Sequence, residues 1–327
     1  MLALSLLIVM IAVGALWYVE LTHTYAVADP ASSAVIMSGC SSGIGLHTAH
    51  YLAQKGYVVF AGVRRTSDYH LFSNETNIVP VILDVKDTSS IKEARDIVVQ
   101  HLGNKYQSKV KLIGVINNAA IGFLRAVEDT DVELLKEIMD VNLYGAITTT
   151  QTFLPLLKAG GHGDGSRIVN IGSIAGIIAS PLYSSYSCSK FALKAVTDSL
   201  RVELYLDNIS VSIVDPGTIV ETNIRNSSFL HEKVSSSTFS DPETSHYKDM
   251  YKATKIRLQE AERKRFGDHP IVVAEAVFHA LNSANPKPRY VVGRVGKIPA
   301  WVMYALSQIL PTRVMDRMLL SVVQLKK

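Results

Sequence analysis

The chain has 327 residues, 48% hydrophobic and 19% charged, with 20 Gly and 11 Pro. This excludes a disordered or fibrous chain and suits one large globular domain or two small ones. A net charge of +4 without a basic block argues against nucleic acid as a partner. The two cysteines, Cys40 and Cys188, are too few for a disulfide framework and lack metal-ligand spacing, so no metal is expected.

Leu2 to Val19 is 18 residues without a charge, about 27 Å as a helix against a hydrocarbon core of roughly 30 Å. Trp17 and Tyr18 stand at its end, where an aromatic belt sits. Ala26-Val27-Ala28 offers the alternative of a cleaved signal peptide, but no Lys or Arg precedes the segment and it is long for an h-region. The expectation is a retained transmembrane helix, with residues 1–28 as anchor and linker. The protein would then be single-pass anchored, in an endoplasmic reticulum-like membrane if the cell is eukaryotic. Orientation is unreadable because neither flank carries a positive bias. The sequons at Asn74, Asn208 and Asn226 matter only if the following domain faces a lumen.

From Ser33 the pattern alternates strand and helix. Ala34–Met37 is a short apolar run, followed by SGCSSGIG (Ser38 to Gly45) and a helix to Lys55 that Gly56 terminates. Strands are expected at Tyr57–Val63, Ile78–Leu83, Lys111–Ile116, Arg167–Ile171, Ser210–Val214 and Arg289–Val292. Helices are expected at Lys86–Leu102, Asp131–Lys158 with a break near Val141, Ser184–Leu206 and Glu275–Ser283. Such alternation implies right-handed crossovers and a parallel sheet covered on both faces.

Gly39, Gly43 and Gly45 follow the first strand and open the first helix. Glycine there lets the backbone approach a pyrophosphate resting on the helix N-terminus, although the spacing G-x-x-x-G-x-G also fits an ordinary glycine-rich turn. At the end of the second strand stand Arg64 and Arg65, with no acid until Asp68. Arginine there suits the additional phosphate of NADP(H) over NAD(H), unless the two are only a solvated surface pair. Tyr186 and Lys190 are four apart, hence on one helical face. A cation beside a phenol favours the phenolate and draws its pKa down from about 10.

These motifs together resemble the short-chain dehydrogenase/reductase family, and the resemblance covers Ser33 to about Arg294. It rests on SGCSSGIG, Asp84, Asn117-Asn118-Ala119-Ala120, Asn142, Ser173, Tyr186-Ser-Cys-Ser-Lys190 and Asp215-Pro216-Gly217. The resemblance implies a Rossmann-like, doubly wound α/β domain with a seven-stranded parallel sheet over residues 29–296. By the same resemblance Gly39, Ser41, Ser42, Gly43, Ile44 and Gly45 form the pyrophosphate loop, and Asp84 with Val85 meets the adenine. Asn117 and Ala119 lie beside the cofactor, and Asn142 holds a water of the proton relay by its carbonyl. Ser173 hydrogen-bonds the substrate oxygen, Tyr186 moves the proton and also contacts the cofactor, and Lys190 holds the ribose hydroxyls. Pro216, Gly217 and Thr218 border the nicotinamide. The family commonly forms dimers or tetramers, so a homodimer or homotetramer is implied.

Two positions depart from the family pattern. Ala120 replaces a usual Gly, and Thr222 falls five residues after Gly217 rather than four. Asn223–Gly267 occupies the place of the family's substrate lid. Ile177, Ile178, Pro181 and Leu182 are expected to line a pocket for a lipophilic substrate. Residues 297–327 form a hydrophobic and amphipathic tail resembling that of the membrane-associated retinol and hydroxysteroid dehydrogenases. That tail suits either a membrane-surface helix or core and dimer packing. The expected function is oxidation or reduction of a steroid-, retinoid- or lipid-like alcohol or carbonyl compound. The alternative is a non-catalytic dinucleotide-binding or scaffolding member of the same fold.

Overall fold

β1 (Ser33–Met37) and β2 (Val58–Val63) are buried along their whole length, as strands covered by helices on both faces must be. Their side chains alternate between two cores. Val35, Met37, Val59 and Ala61 pack on one face, and Ala34, Ile36, Val58 and Phe60 on the other. The first face is covered by α1 (Gly43–Gln54), through Ala49 and Leu52, and by α7 (Ile271–Asn282), through Val273 and Val277. The second is covered by α2 (Thr88–Tyr106), through Ile91 and Val98, and by α4 (Gly145–Ala159), through Phe153 and Leu157. Each Val, Leu, Ile, Met or Phe side chain among them contributes roughly 1.5–3 kcal/mol on full burial, the alanines less. The computed structural model describes residues 5, 8, 11, 24–106, 109–159, 165–222, 245–263 and 267–322.

The sheet continues with β3 (Ile78–Ile82), β4 (Lys111–Asn117), β5 (Arg167–Ile171), β6 (Ser210–Pro216) and β7 (Arg289–Val292), in the order β3-β2-β1-β4-β5-β6-β7. Every neighbouring pair is parallel. The chain winds outward from β1 to β3 and returns to β4, so a switch point opens beyond the carboxyl ends of β1 and β4, where doubly wound folds take ligands. The remaining α-helices among the described residues are α3 (Val132–Met139), α5 (Ser184–Glu203), α6 (Lys248–Arg263), α8 (Ala300–Ile309) and α9 (Thr312–Val322). A hairpin of β8 (Arg294–Val295) and β9 (Ile298–Pro299) precedes α8. The break expected near Val141 is a π-helical turn over Asp140–Tyr144.

At the opposite end of the sheet Arg167 is buried without a carboxylate partner among the described residues. Its guanidinium donates to Ala26 O (2.6 Å), Ser283 O (3.1 Å) and Ser166 O (3.1 Å), and Tyr25 stacks on it at 5.3 Å. Burial pushes its pKa down to about 10. This residue ties the segment ahead of β1 to the sheet.

One expectation is corrected. Among the described residues no helix is long and apolar enough to cross a membrane, so the single-pass anchored localisation does not stand. Spanning the hydrocarbon core takes about 20 consecutive apolar helical residues. The apolar α8 has 10 residues, and the 20-residue α5 carries Lys190, Lys194, Asp198, Arg201 and Glu203. Of Leu2–Val19 only Ser5, Ile8 and Ile11 are described; the rest lies outside the described residues, as do Asn226 and the lid segments 223–244 and 264–266.

Candidate active site

The site forms at the switch point, beginning with the turn between β1 and α1. Gly39 has φ +72°, and a Cβ on it would lie 2.8 Å from Ala119 Cα; a Cβ on Gly45 would overlap the carbonyl oxygen of Gly39. No larger residue fits where the turn, the start of α1 and the end of β4 meet. Asn118 Nδ2 donates to both Ser38 O and Gly39 O at 3.0 Å, and Ser38 Oγ accepts the Asn118 and Ala119 N–H groups at 3.1 Å. Ser42 stands at the N-cap of α1 but makes no side-chain capping bond. The first N–H groups of that helix therefore remain available to an anion. That cradle fits a dinucleotide pyrophosphate.

Arg64 and Arg65 are exposed at the end of β2. Arg65 pairs with Asp68 at 3.3 Å, whereas Arg64 makes no ion pair among the described residues. Asp84, after β3, accepts the Lys86 N–H at 3.0 Å, and its own N–H donates to Ser90 Oγ at 3.0 Å.

Ser173, Tyr186 and Lys190 gather at the carboxyl end of β5. Ser173 caps a short 3-10 turn, its hydroxyl oxygen accepting the Ala175 N–H at 3.1 Å. Tyr186 and Lys190 sit one turn apart on α5, with Lys190 Nζ 5.7 Å from the Tyr186 ring centroid. Lys190 is 2% exposed and donates to Ile171 O at 2.7 Å. Ile171 lies beyond the last β4–β5 pair, Asn117↔Asn170, so its carbonyl needs a donor from elsewhere. Burial pushes the Lys190 pKa down to about 8, against the upward pull of Asp215.

Asp215 is the residue to which motif reading assigned no role. It is 2% exposed, and its Oδ1 accepts the Ser173 N–H at 2.9 Å, seated so tightly that a Cβ on Gly172 would overlap it. Arg289 Nε lies 3.3 Å from Oδ2, an ion pair whose alignment gives Oδ2 no hydrogen bond. Burial raises the Asp215 carboxyl to about 6, opposed by Arg289, the Ser173 N–H, Lys190 and Lys194. Tyr304 of α8 stacks on the Arg289 guanidinium at 5.4 Å. A chain of contacts thus runs from α8 through Arg289 and Asp215 to the Ser173 backbone. Only the Asp-Pro-Gly triplet hinted at it, since Arg289 lies 74 positions downstream.

Asn117 and Asn142 stand behind the cavity wall. Asn142, in the π turn, accepts the Ile121 N–H at 2.8 Å and donates at 2.9 Å to Ile121 O and to Ser189 Oγ, which in turn donates to Tyr186 O at 2.7 Å. It ties the loop after β4 to the first turn of α5. Asn117 Nδ2 donates to Thr150 Oγ1 (2.9 Å) and Asn170 Oδ1 (2.8 Å), linking β4 to α4 and β5.

These elements enclose a cavity of ≈ 1230 Å³, above the roughly 300–1,000 Å³ of ordinary ligand pockets. Gly39, Ser41, Ser42, Gly43, Ile44, Gly45, Arg64, Arg65, Asp84, Val85, Ala119, Ser173, Tyr186, Lys190, Pro216, Gly217 and Thr218 all line it. So does Thr222, and Glu221 beside it has φ +59°. Of the apolar residues expected along the wall, Ile178 and Pro181 line it, whereas Ile177 and Leu182 do not. Leu182 sits buried at φ +66°, and its carbonyl accepts the Arg125 N–H at 2.8 Å. With that left-handed backbone its side chain is buried away from the cavity wall. Sequence reading did not anticipate Met303 of α8 and Leu319 of α9, which close the far side.

α6 is pinned to the loop after β4. Tyr251 of α6 donates to Asp129 Oδ2 at 2.9 Å and accepts the Ala126 N–H at 2.7 Å, and Ser245 donates to the same carboxylate oxygen at 2.6 Å. Tyr251→Phe removes both contacts and strands a buried N–H, a cost of about 1–3 kcal/mol. The expected result is KM raised roughly three- to tenfold with kcat little changed, checked by steady-state kinetics.

The family model for short chain dehydrogenases matches residues 33–233. The chain is 33% identical over 279 residues to the mitochondrial D-beta-hydroxybutyrate dehydrogenase of Mus musculus, covering 82% of this chain and 79% of that protein. It is 32% identical over 292 residues to retinol dehydrogenase 7 of Mus musculus, covering 87% of each. A short-chain dehydrogenase from Streptomyces avermitilis shares the fold with TM-score 0.67 at 22% identity, covering 88% of this chain and 96% of that one.

Proposed function

The chain belongs to the short-chain dehydrogenase family of oxidoreductases, and from that premise we propose that it interconverts a lipophilic alcohol and its ketone or aldehyde, preferring NADP(H). One observation carries the proposal. A single cavity joins the uncapped N-terminus of α1, the Tyr186–Lys190 face and an apolar wall of Ile174, Ile178, Pro181, Met303 and Leu319. That wall favours a substrate of the retinol kind over a small hydroxy acid, whose carboxylate would lose its hydration there.

When bound, a nicotinamide dinucleotide supplies or accepts the hydride. The start of α1 would hold its pyrophosphate by its N–H groups. Lys190 uses one N–H on Ile171 O, and its remaining N–H groups would hold the nicotinamide ribose hydroxyls. Its cation beside the Tyr186 ring eases removal of the phenolic proton. Tyr186 gives that proton to the carbonyl oxygen during reduction and takes it from the alcohol during oxidation. The Ser173 hydroxyl oxygen receives the Ala175 N–H and presents its own proton to the same substrate oxygen. Asn142 fixes the loop and the helix turn flanking this centre.

Arg64 carries the cofactor preference, since it is exposed, lines the cavity and has no ion-pair partner among the described residues. A charge-assisted bond to a phosphate contributes about 1.5–3 kcal/mol. Arg64→Asp is therefore expected to move the NADP/NAD ratio of kcat/KM about 10- to 100-fold toward NAD. An unchanged ratio removes Arg64 from the site. The activity itself is tested by NADPH oxidation against retinal, steroid ketones, long-chain ketones and small keto acids; turnover of the keto acids alone would sink the lipophilic reading.

A further inference from the structure

At the outer edge of the cofactor loop three side chains distant in sequence converge. They are His47 on α1, Glu221 in the loop after β6, and His269 just ahead of α7. His47 Nε2 lies 3.6 Å and His269 Nε2 3.7 Å from the same oxygen, Glu221 Oε2. The three ligand atoms all fall within 4.8 Å of one another. A triangle with those sides has its centre no more than about 2.4 Å from each corner, against zinc–nitrogen and zinc–oxygen lengths of about 2.0–2.2 Å. A closure of a few tenths of an ångström completes the coordination distances.

Two further observations set this trio apart from a chance surface ion pair. Glu221 holds its place at φ +59°, a conformation that strains any residue with a side chain. The two imidazole rings meet edge to face, centroids 4.7 Å apart and planes at 76°, so they do not stack; both Nε2 atoms turn to the carboxylate.

We propose that His47, Glu221 and His269 bind a divalent transition-metal ion of the zinc class, and that the bound ion pins the loop after β6 to α1. Two imidazoles and one carboxylate are the donor set that suits such an ion, with water completing its shell. The pinned loop carries Thr218 and Thr222 and α1 opens at Gly43, all of which line the cavity. Occupancy therefore slows dinucleotide release. Ligation through Nε2 leaves the His269 ring proton on Nδ1, which now accepts the Ile271 N–H at 3.2 Å. That contact is exchanged for the metal bond, so the Ile271 amide resonance reports occupancy. Metal binding stands independently of the proposed reaction; only its effect on cofactor release rests on that reading.

The test uses the full chain without a histidine tag, with the exposed Cys188 changed to Ser in every sample to exclude thiolate binding. Zn2+ is titrated against a chromophoric chelator, and Co2+ serves as a spectroscopic probe. The expected result is one equivalent bound, weakened roughly tenfold or more by His47→Asn and by Glu221→Gln, each with unchanged circular dichroism. A chain that binds no equivalent of metal, or variants that bind as tightly as their parent, would overturn the site. Metal binding that leaves the release rate of bound NADPH unaltered would overturn the pinning. Failure of NADPH to bind at all, with metal binding intact, would instead strike the proposed reaction.

Discussion

Tyr186→Phe is expected to lower kcat by about three orders of magnitude while leaving dinucleotide binding unchanged. A positioned general acid–base group contributes about 10²- to 10⁴-fold. Tyr186 is the phenol on the cavity wall that sits one helical turn from a buried cation. The substitution deletes one oxygen and keeps the ring, whose edge packs over Gly122, so the fold should survive. Steady-state kinetics with a fluorescence titration of NADPH separates the two effects. Activity within tenfold of the parent would remove Tyr186 as proton donor; loss of NADPH binding would recast it as a cofactor-binding group.

Lys190→Met is the second large effect, and it should separate activity from stability. The cation is lost from beside Tyr186 and from the ribose site, and kcat/KM is expected to fall at least about a hundredfold. Stability should respond to pH with a defined sign. Burial lowers the Lys190 pKa from 10.5 to about 8, so between those values the unfolded chain binds the proton that the folded chain has released. Below pH 8 the folded protein carries the full penalty of a buried ammonium, and as pH rises from about 8 to 10.5 that penalty is relieved. The difference in unfolding free energy between parent and Lys190→Met, followed by urea denaturation at stepped pH, should shift toward the parent by roughly 3 kcal/mol over that window. No drift would mean that Lys190 titrates normally and is not desolvated in solution.

Much of the fold was legible because the signals were local. Apolar runs of four to seven residues, separated by helical periodicity and ended by Gly56, located the strands of the sheet with ends differing by at most two residues. A strand buried on both faces has to read as a continuous apolar run. The break near Val141 was legible too, although not its π-helical form, because one extra residue per turn leaves no mark in hydropathy. The N-terminal expectation failed for a different reason. An uncharged run meets the length criterion for a bilayer span, but no helix among the described residues is both long and apolar enough to cross a membrane.

Within the site, the sequence determined which chemical groups are present and roughly where along the chain they fall. The glycines of the turn, the tyrosine and lysine one turn apart, and the arginine after β2 are each set by short-range spacing. Which groups meet was decided by tertiary structure alone. Strand pairing of β6 with β7 brings Arg289 to Asp215, and the left-handed backbone at Leu182 and Glu221 turns one side chain inward and sets another between two imidazoles. Closure of the cavity by Met303 and Leu319 likewise follows from packing of α8 and α9. Periodicity reports one element at a time, and contacts between residues 40 to 220 positions apart depend on sheet order and crossover geometry that no local pattern carries.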